Sequence, residues 1–250
     1  MNDIFDLSGK VALVTGGSRG LGLAMSRALA AAGADIVIAS RDGDACEAAA
    51  AQIAGETGRT ALGVGAHVGK WDDLPALVDT AYDRFGKIDI LINNAGMSPL
   101  YDSIGSVTEA LFDKVFDVNL KGPFRLSALI GERMFAAGSG SIINISSAAS
   151  YRARAHNLPY AMAKAGLNSM TVGLAHAFAP VVRVNTIVAG TFLTDVSKAW
   201  DMEAFQRRAE AFAARRGGQP DEIIGAALYL ASDAASYTTA STLTVDGGQP

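Results

Sequence analysis

Seven short apolar runs alternating with longer helical stretches constrain this chain more than any other feature. The runs fall at Val11–Val14, Asp35–Ala39, Ala61–Gly65, Ile88–Ile92, Ser141–Ile145, Val182–Ile187 and Thr242–Val245. Their hydrophobicity is continuous rather than alternating, which suits strands buried on both faces. Helical stretches fall near 20–32, 43–56, 71–85, 107–136, 158–178 and 220–231. The alternation predicts an α/β fold, a doubly wound parallel sheet of about seven strands flanked by helices. No Pro/Ser-rich linker, composition break or internal repeat divides the 250 residues, so one domain is expected.

Residues 191–216 break the rhythm. Thr194-Asp195-Val-Ser-Lys-Ala-Trp200 leads into an amphipathic, Arg-rich segment with Phe205, Arg207, Arg208, Phe212, Arg215 and Arg216. It reads as a surface helix with a solvated basic face, or as a substrate lid over the carboxyl ends of the strands. Its position after a late strand favours the lid.

Bulk properties exclude several classes. With half its residues hydrophobic and a net charge of −4, the chain has no basic stripe for nucleic acid. The longest apolar runs are strand-length, which predicts no membrane span. Cys46, the single cysteine, cannot form an internal disulfide and reads as a passive small residue. Met1-Asn-Asp-Ile-Phe-Asp lacks a charged region plus apolar core, and Gly-Gln-Pro at the other end carries no Ser-Lys-Leu address. Cytoplasmic residence is the expectation.

Two motifs carry chemistry. After the first strand comes Thr15-Gly-Gly-Ser-Arg-Gly-Leu-Gly22, whose glycines permit a tight turn and close backbone approach to phosphate. Such a turn suits a dinucleotide, although S-adenosylmethionine enzymes also use glycine-rich turns. Far downstream, Tyr160 and Lys164 stand four apart on a helical stretch and share one face. An ammonium there would lower the phenol pKa, preparing Tyr160 to exchange protons with an alcohol or carbonyl. Ser147, at the end of an apolar run, precedes them by 13 residues. A lone Tyr-x-x-x-Lys would more often be a solvated helix face, and a lone strand-end serine a cap. Their order along the chain is what points to a carbonyl–alcohol oxidoreductase. No spacing of potential ligands suggests a metal site.

The second strand ends in Ser40-Arg41 rather than in a carboxylate that would bind the ribose 2′-hydroxyl of NAD. Arg41 offers paired contacts to a 2′-phosphate, and Arg19 in the glycine turn converges on the same group. Asp42 follows directly and is also a candidate helix cap. NADP(H) is favoured over NAD(H).

These residues together resemble the short-chain dehydrogenase/reductase family over nearly the whole chain. The matching segments are Thr15–Gly22, Asn93-Asn94-Ala95-Gly96, Asn119, Ser147, Tyr160/Lys164 and the closing Val245-Asp-Gly-Gly248. The resemblance implies a single Rossmann-like domain that binds a small carbonyl or alcohol substrate, usually as a homotetramer, with no nucleic acid or membrane partner. It implies a catalytic group of Asn119, Ser147, Tyr160 and Lys164: Ser147 on the substrate oxygen, Tyr160 on its proton, Lys164 on the nicotinamide ribose, Asn119 on a relay water. It further implies cofactor contacts from Gly16, Ser18, Arg19, Gly20, Leu21, Gly22, Ser40, Arg41, His67, Val68, Asn94, Ala95, Gly96, Gly190, Phe192 and Thr194, besides Tyr160 and Lys164. Thr194 would meet the carboxamide. A noncatalytic NADP(H)-binding sensor or scaffold of the same fold is the alternative, although such proteins usually shed the proton donor.

Three departures stand out. His67-Val68 replaces the usual Asp-Val, Ala189-Gly190 replaces Pro-Gly, and Thr239-Ala240-Ser241 stands where Ile/Thr-Gly-Gln is frequent. The run His67-Val-Gly-Lys70 with Ala39-Ser-Arg41 is similar to a branch of NADPH-dependent carbonyl reductases. Met97, Leu158, Phe192, Trp200 and Met202 are expected to give the pocket apolar walls. Arg152 and Arg154 read either as attractors for an anionic group on a substrate or carrier, or as solvated loop charges.

Overall fold

All seven apolar runs enter one parallel sheet in the computed structural model, which describes residues 4–195, 197 and 200–250. The strands are β1 (Val11–Thr15), β2 (Asp35–Ser40), β3 (Ala61–Gly65), β4 (Ile90–Asn93), β5 (Gly140–Ser147), β6 (Val182–Ala189) and β7 (Thr242–Val245). Their spatial order is β3-β2-β1-β4-β5-β6-β7. The chain therefore winds outward from β1 to β3, then returns to lay β4 against the other side of β1. At that reversal the flanking crossovers part, and a crevice opens at the strands' carboxyl ends. Pairings such as Thr15↔Ala39, Val14↔Ile92, Asn93↔Asn144 and Ser147↔Ala189 bring those ends to one rim.

Helices α1 (Gly20–Ala31), α2 (Gly43–Thr57), α3 (Leu74–Phe85), α4 (Glu109–Phe116), α5 (Gly122–Ala137), α6 (Leu158–Ala177), α7 (Met202–Ala209) and α8 (Ile224–Ala231) connect the strands. Two cores result, one per sheet face. Val14, Ile36 and Ile143 pack with Met25 and Leu29 of α1, Ile53 of α2 and Leu230 of α8. The neighbouring strand residues Leu13, Val37 and Ile142 point the other way, against Leu77 of α3 and Leu126 and Ile130 of α5. Successive strand side chains alternate faces, so a strand buried on both must be apolar throughout. That explains the continuous runs.

The helix expected over 107–136 runs as one helical course from Glu109 to Ala137, in two α-helical parts. Within it a π-helical turn, Asp117–Lys121, joins α4 to α5. Pro123 has no amide proton to donate at the start of α5. Gly122 lies so close to β3's extension that a Cβ there would stand 2.1 Å from the Val68 carbonyl oxygen. Glycine at this position lets the chain approach that carbonyl. Single π turns of this kind cluster at functional sites.

Within 191–216 the regular element is α7. Phe205, Ala209 and Phe212 pack with Leu193 into a small cluster apart from the two main cores. Arg207, Arg208, Arg215 and Arg216 are exposed. Val196, Lys198 and Ala199 of the same stretch lie outside the described residues. Among those described, no helix is long and apolar enough to cross a membrane.

Candidate active site

A cleft of 1240 Å³ follows the carboxyl rim across the reversal point. One wall is the turn after β1, with Gly16, Ser18, Arg19, Gly20, Leu21 and Gly22. Ser40 and Arg41 at the end of β2, and His67 and Val68 after β3, close one end. Asn94, Ala95 and Gly96 follow β4 on the floor. Ser147 from β5, Tyr160 and Lys164 from α6, and Gly190, Phe192 and Thr194 after β6 line the rest. Every cofactor contact expected from the sequence thus faces one space. Asn119, fully buried, stands behind the floor.

The glycine turn is shaped by its missing side chains. Gly16 and Gly20 adopt left-handed backbone, φ +64° and +54°, which L side chains disfavour. At Gly22 a Cβ would lie 2.1 Å from the Gly16 carbonyl oxygen and 2.6 Å from Asn94 Nδ2. Only glycine fits. The Asn94 amide donates to the carbonyls of Thr15 at 2.9 Å and Gly16 at 3.2 Å. Thr15 Oγ1 accepts from the Asn94 and Ala95 amides. Helix α1 then starts without a side-chain cap and without an acidic residue in its first turn. Its first amides and dipole remain for an anion, so this cradle fits a pyrophosphate.

At the end of β2 the Ser18 hydroxyl donates to Ser40 Oγ at 3.1 Å, and Cys46 Sγ lies 3.0 Å from that same oxygen. Asp42 caps α2, accepting from the Ala45 amide at 3.0 Å. The carboxylate nearest the strand end is therefore engaged with backbone. Arg19 and Arg41 are both exposed on the cleft and, among the described residues, form no ion pair. His67 Nδ1 accepts from the Gly69 amide at 3.0 Å, a local bond that holds its ring at the cleft edge.

Across the cleft, Tyr160 is half-buried and lines the same space as Ser147. Burial pushes its phenol above the usual tyrosine range, and the Ser147 hydroxyl works against that. Lys164 is 3% exposed, and burial lowers its pKa to about 8. Its Nζ donates to the Ile145 carbonyl at 2.7 Å and lies 5.8 Å from the Tyr160 ring centroid. The expected lowering of the phenol by the ammonium does not appear: desolvation raises it, and the lowering influence comes from Ser147. Asn119 anchors the floor: its Nδ2 donates to the carbonyls of Met97 and Val115, both at 2.8 Å, and its Oδ1 accepts from the Met97 amide. Gly96 sits between, where a Cβ would stand 2.9 Å from Asn119 Oδ1 and 3.6 Å from Lys164 Nζ.

One positioning contact has no sequence signal. The Tyr101 hydroxyl donates to the Ala155 carbonyl and accepts from the Leu158 amide at 2.8 Å, capping α6 from a distant segment. A tyrosine 57 residues before the helix it caps carries no local pattern that would announce it. Of the expected apolar walls, Met97, Phe192 and Trp200 line the cleft, whereas Leu158 and Met202 do not. The departure at Ala189-Gly190 keeps its glycine for packing, since a Cβ there would meet Asp246 Cα at 2.5 Å.

Comparison with known proteins agrees with this geometry. The family model described as Enoyl-(Acyl carrier protein) reductase matches residues 16–249. Dehydrogenase/reductase SDR family member 4 of Homo sapiens is 38% identical over 247 residues, covering 98% of this chain and 88% of that protein. Among solved structures, NADPH-dependent 3-quinuclidinone reductase from Rhodotorula rubra superposes with a TM-score of 0.93 at 28% identity, covering 100% of this chain and 95% of its own. A 7α-hydroxysteroid dehydrogenase complexed with NADH and 7-oxo glycochenodeoxycholic acid gives 0.94 at 33% identity, covering 100% and 97%. With a family match over most of its length, relatives covered almost end to end and a seven-stranded parallel sheet of this order, the chain belongs to the short-chain dehydrogenase/reductase family of NAD(P)-dependent oxidoreductases.

Proposed function

We propose that this enzyme interconverts a ketone and a secondary alcohol using NADP(H), with Tyr160 as the acid and base. The observation that carries the reading is the meeting of Ser147, Tyr160 and Lys164 in the same cleft as the glycine turn. Bound nicotinamide dinucleotide supplies or accepts the hydride. Ser147 holds the substrate oxygen by its hydroxyl. Tyr160, kept protonated by burial, gives its proton to that oxygen in reduction and takes it back in oxidation. Lys164, fixed by the Ile145 carbonyl, presents its remaining N–H groups toward the ribose. Asn119 holds the Met97 segment in place beneath them, and a water at this position would link Lys164 to solvent. The segment 191–216 serves as a lid whose wall includes Phe192 and Trp200.

The preference for NADP(H) rests on two guanidiniums without an ion pair among the described residues, Arg19 and Arg41, and on the engagement of Asp42 in capping. We extend the proposal to a cytoplasmic homotetramer. A buried free Cys46 suits a reducing compartment, and Phe124, Val172 and Tyr237 are apolar side chains exposed on the single chain.

A single assay tests the chemistry: absorbance of NADPH and of NADH with a panel of ketones and diketones. Turnover with at least one carbonyl, faster with NADPH, is expected. Tight NADPH binding without turnover of any panel member would favour a sensor. Arg41→Ala should weaken NADPH about tenfold or more while barely changing NADH, and equal losses would overturn the phosphate assignment.

A further inference from the structure

Beside Tyr160, on the side away from the glycine turn, lies a second recess of 140 Å³. Ser147 and Tyr160 form its inner wall, so a substrate whose oxygen meets these two groups reaches directly into it. Its rim is built from three separate parts of the chain: Arg152 and Arg154 between β5 and α6, Arg208 on α7, and Gln249 near the end of the sequence. Three guanidiniums and no side-chain carboxylate line it.

The neutral amides of the recess are turned the same way. Gln249 Oε1 accepts from both the amide and the hydroxyl of Thr191, at 3.2 and 3.0 Å. Asn157 Oδ1 accepts from the Arg154 amide at 3.0 Å. Both acceptors are thus engaged, and each side chain keeps N–H donors for an occupant. The one side-chain carboxylate near the rim, Asp246, touches Arg152 through a single long contact of 3.4 Å and leaves most of that fork open, and the main-chain carboxyl group of Pro250 also lines the recess. Arg154 makes no ion pair among the described residues, and Arg208 lies over the Phe205 ring at 5.5 Å rather than on an acid. Three guanidiniums against the single carboxyl group of Pro250 leave the lining net positive, and its chemical complement is an oxyanion.

We infer that the substrate is a short oxo acid or hydroxy acid whose carboxylate binds among Arg152, Arg154 and Arg208 while its carbonyl or alcohol oxygen meets Ser147 and Tyr160. This rests on the redox reading above and narrows it to a substrate class. The recess is far smaller than the main cleft, so it admits a compact terminal group and not a bulky ring system. Arg208 also lines the main cleft. Because it belongs to α7, an anion bound to it and to Arg154 ties the proposed lid to the segment that precedes the catalytic helix.

The test compares a short 3-oxo acid with its methyl ester, each assayed with NADPH and NADH. The acid should exceed the ester in kcat/KM by about tenfold or more, and added salt should erode that ratio. Arg154→Gln and Arg208→Gln should bring the ratio toward one, chiefly through a higher KM for the acid. An ester reduced as well as the acid, or a ratio untouched in both variants, overturns the inference while the redox reading stands. Calorimetry with a non-reducible short dicarboxylate on the NADPH-bound enzyme separates the two. Arg208-dependent binding without turnover of any carbonyl sinks the redox reading and leaves the anion site standing.

Discussion

Lys164 holds an ammonium where water hardly reaches, and its pKa falls from 10.5 to about 8 as a result. Below pH 8 the side chain is charged both folded and unfolded, and the folded state bears the whole desolvation penalty, about 3 kcal/mol at most. Between pH 8 and 10.5 the unfolded chain binds the extra proton, so this group's penalty fades as pH rises. Lys164→Met should therefore stabilise the cofactor-free protein by about 1–2 kcal/mol in urea unfolding at pH 7 while abolishing turnover. A destabilised variant would mean that the Ile145 bond outweighs desolvation. For Tyr160, whose phenol stays protonated near neutrality, oxidation needs the deprotonated ring and reduction does not. Oxidative kcat/KM should climb from pH 7 to 9 and the reductive value should not, and an oxidative rate falling over that range removes Tyr160 as the base. Tyr160→Phe should lower turnover by about 10²- to 10⁴-fold with NADPH affinity retained, checked by fluorescence titration alongside kinetics. Sequence spacing made this pair legible, since residues four apart on a helix must share a face. It did not reveal which force sets the phenol, because that depends on burial contributed by β5 and by the cleft walls.

Elements were readable where their signal is local. Continuous apolar runs marked the strands, and the run at Ser141 extends to Ser147 because β6 pairs with it along its full length. The predicted helix over 107–136 holds, but the π turn just before Gly122-Pro123 is hidden by apolar periodicity on either side. Against Gly122 lies a carbonyl contributed by Val68, more than fifty residues earlier. Tyr101 presents the same problem at the other end of the site. Tyr101→Phe should cost about 1 kcal/mol and lower kcat more than it raises KM, since α6 loses the bond that seats its first amide. An unchanged kcat would confine that hydroxyl to stability. Ala240, just before β7, occupies left-handed backbone at φ +55°, a conformation glycine adopts without Cβ crowding. Ala240→Gly should raise stability by about 0.5–1 kcal/mol, the relief of Cβ crowding exceeding the added freedom of the unfolded chain. A loss of stability would show that Ala240 does not hold this conformation in solution.

At the scale of the molecule, every strand pairing is parallel, so each joins segments separated by a crossover. Composition and alternation sufficed to foresee that architecture, because a buried parallel sheet demands both. The strand order was not legible, since nothing in β1 declares which strand will flank its second side. That flank is β4, whose residues 90–93 lie far along the chain from Val11–Thr15. During synthesis the first three strands emerge well before it, leaving the inner edge of β1 bare with its amides and carbonyls unmatched. A nascent chain halted before Ile90 is consequently a template for intermolecular pairing. Full-length product should escape this as soon as the fourth strand clears the ribosome and zips onto the waiting edge.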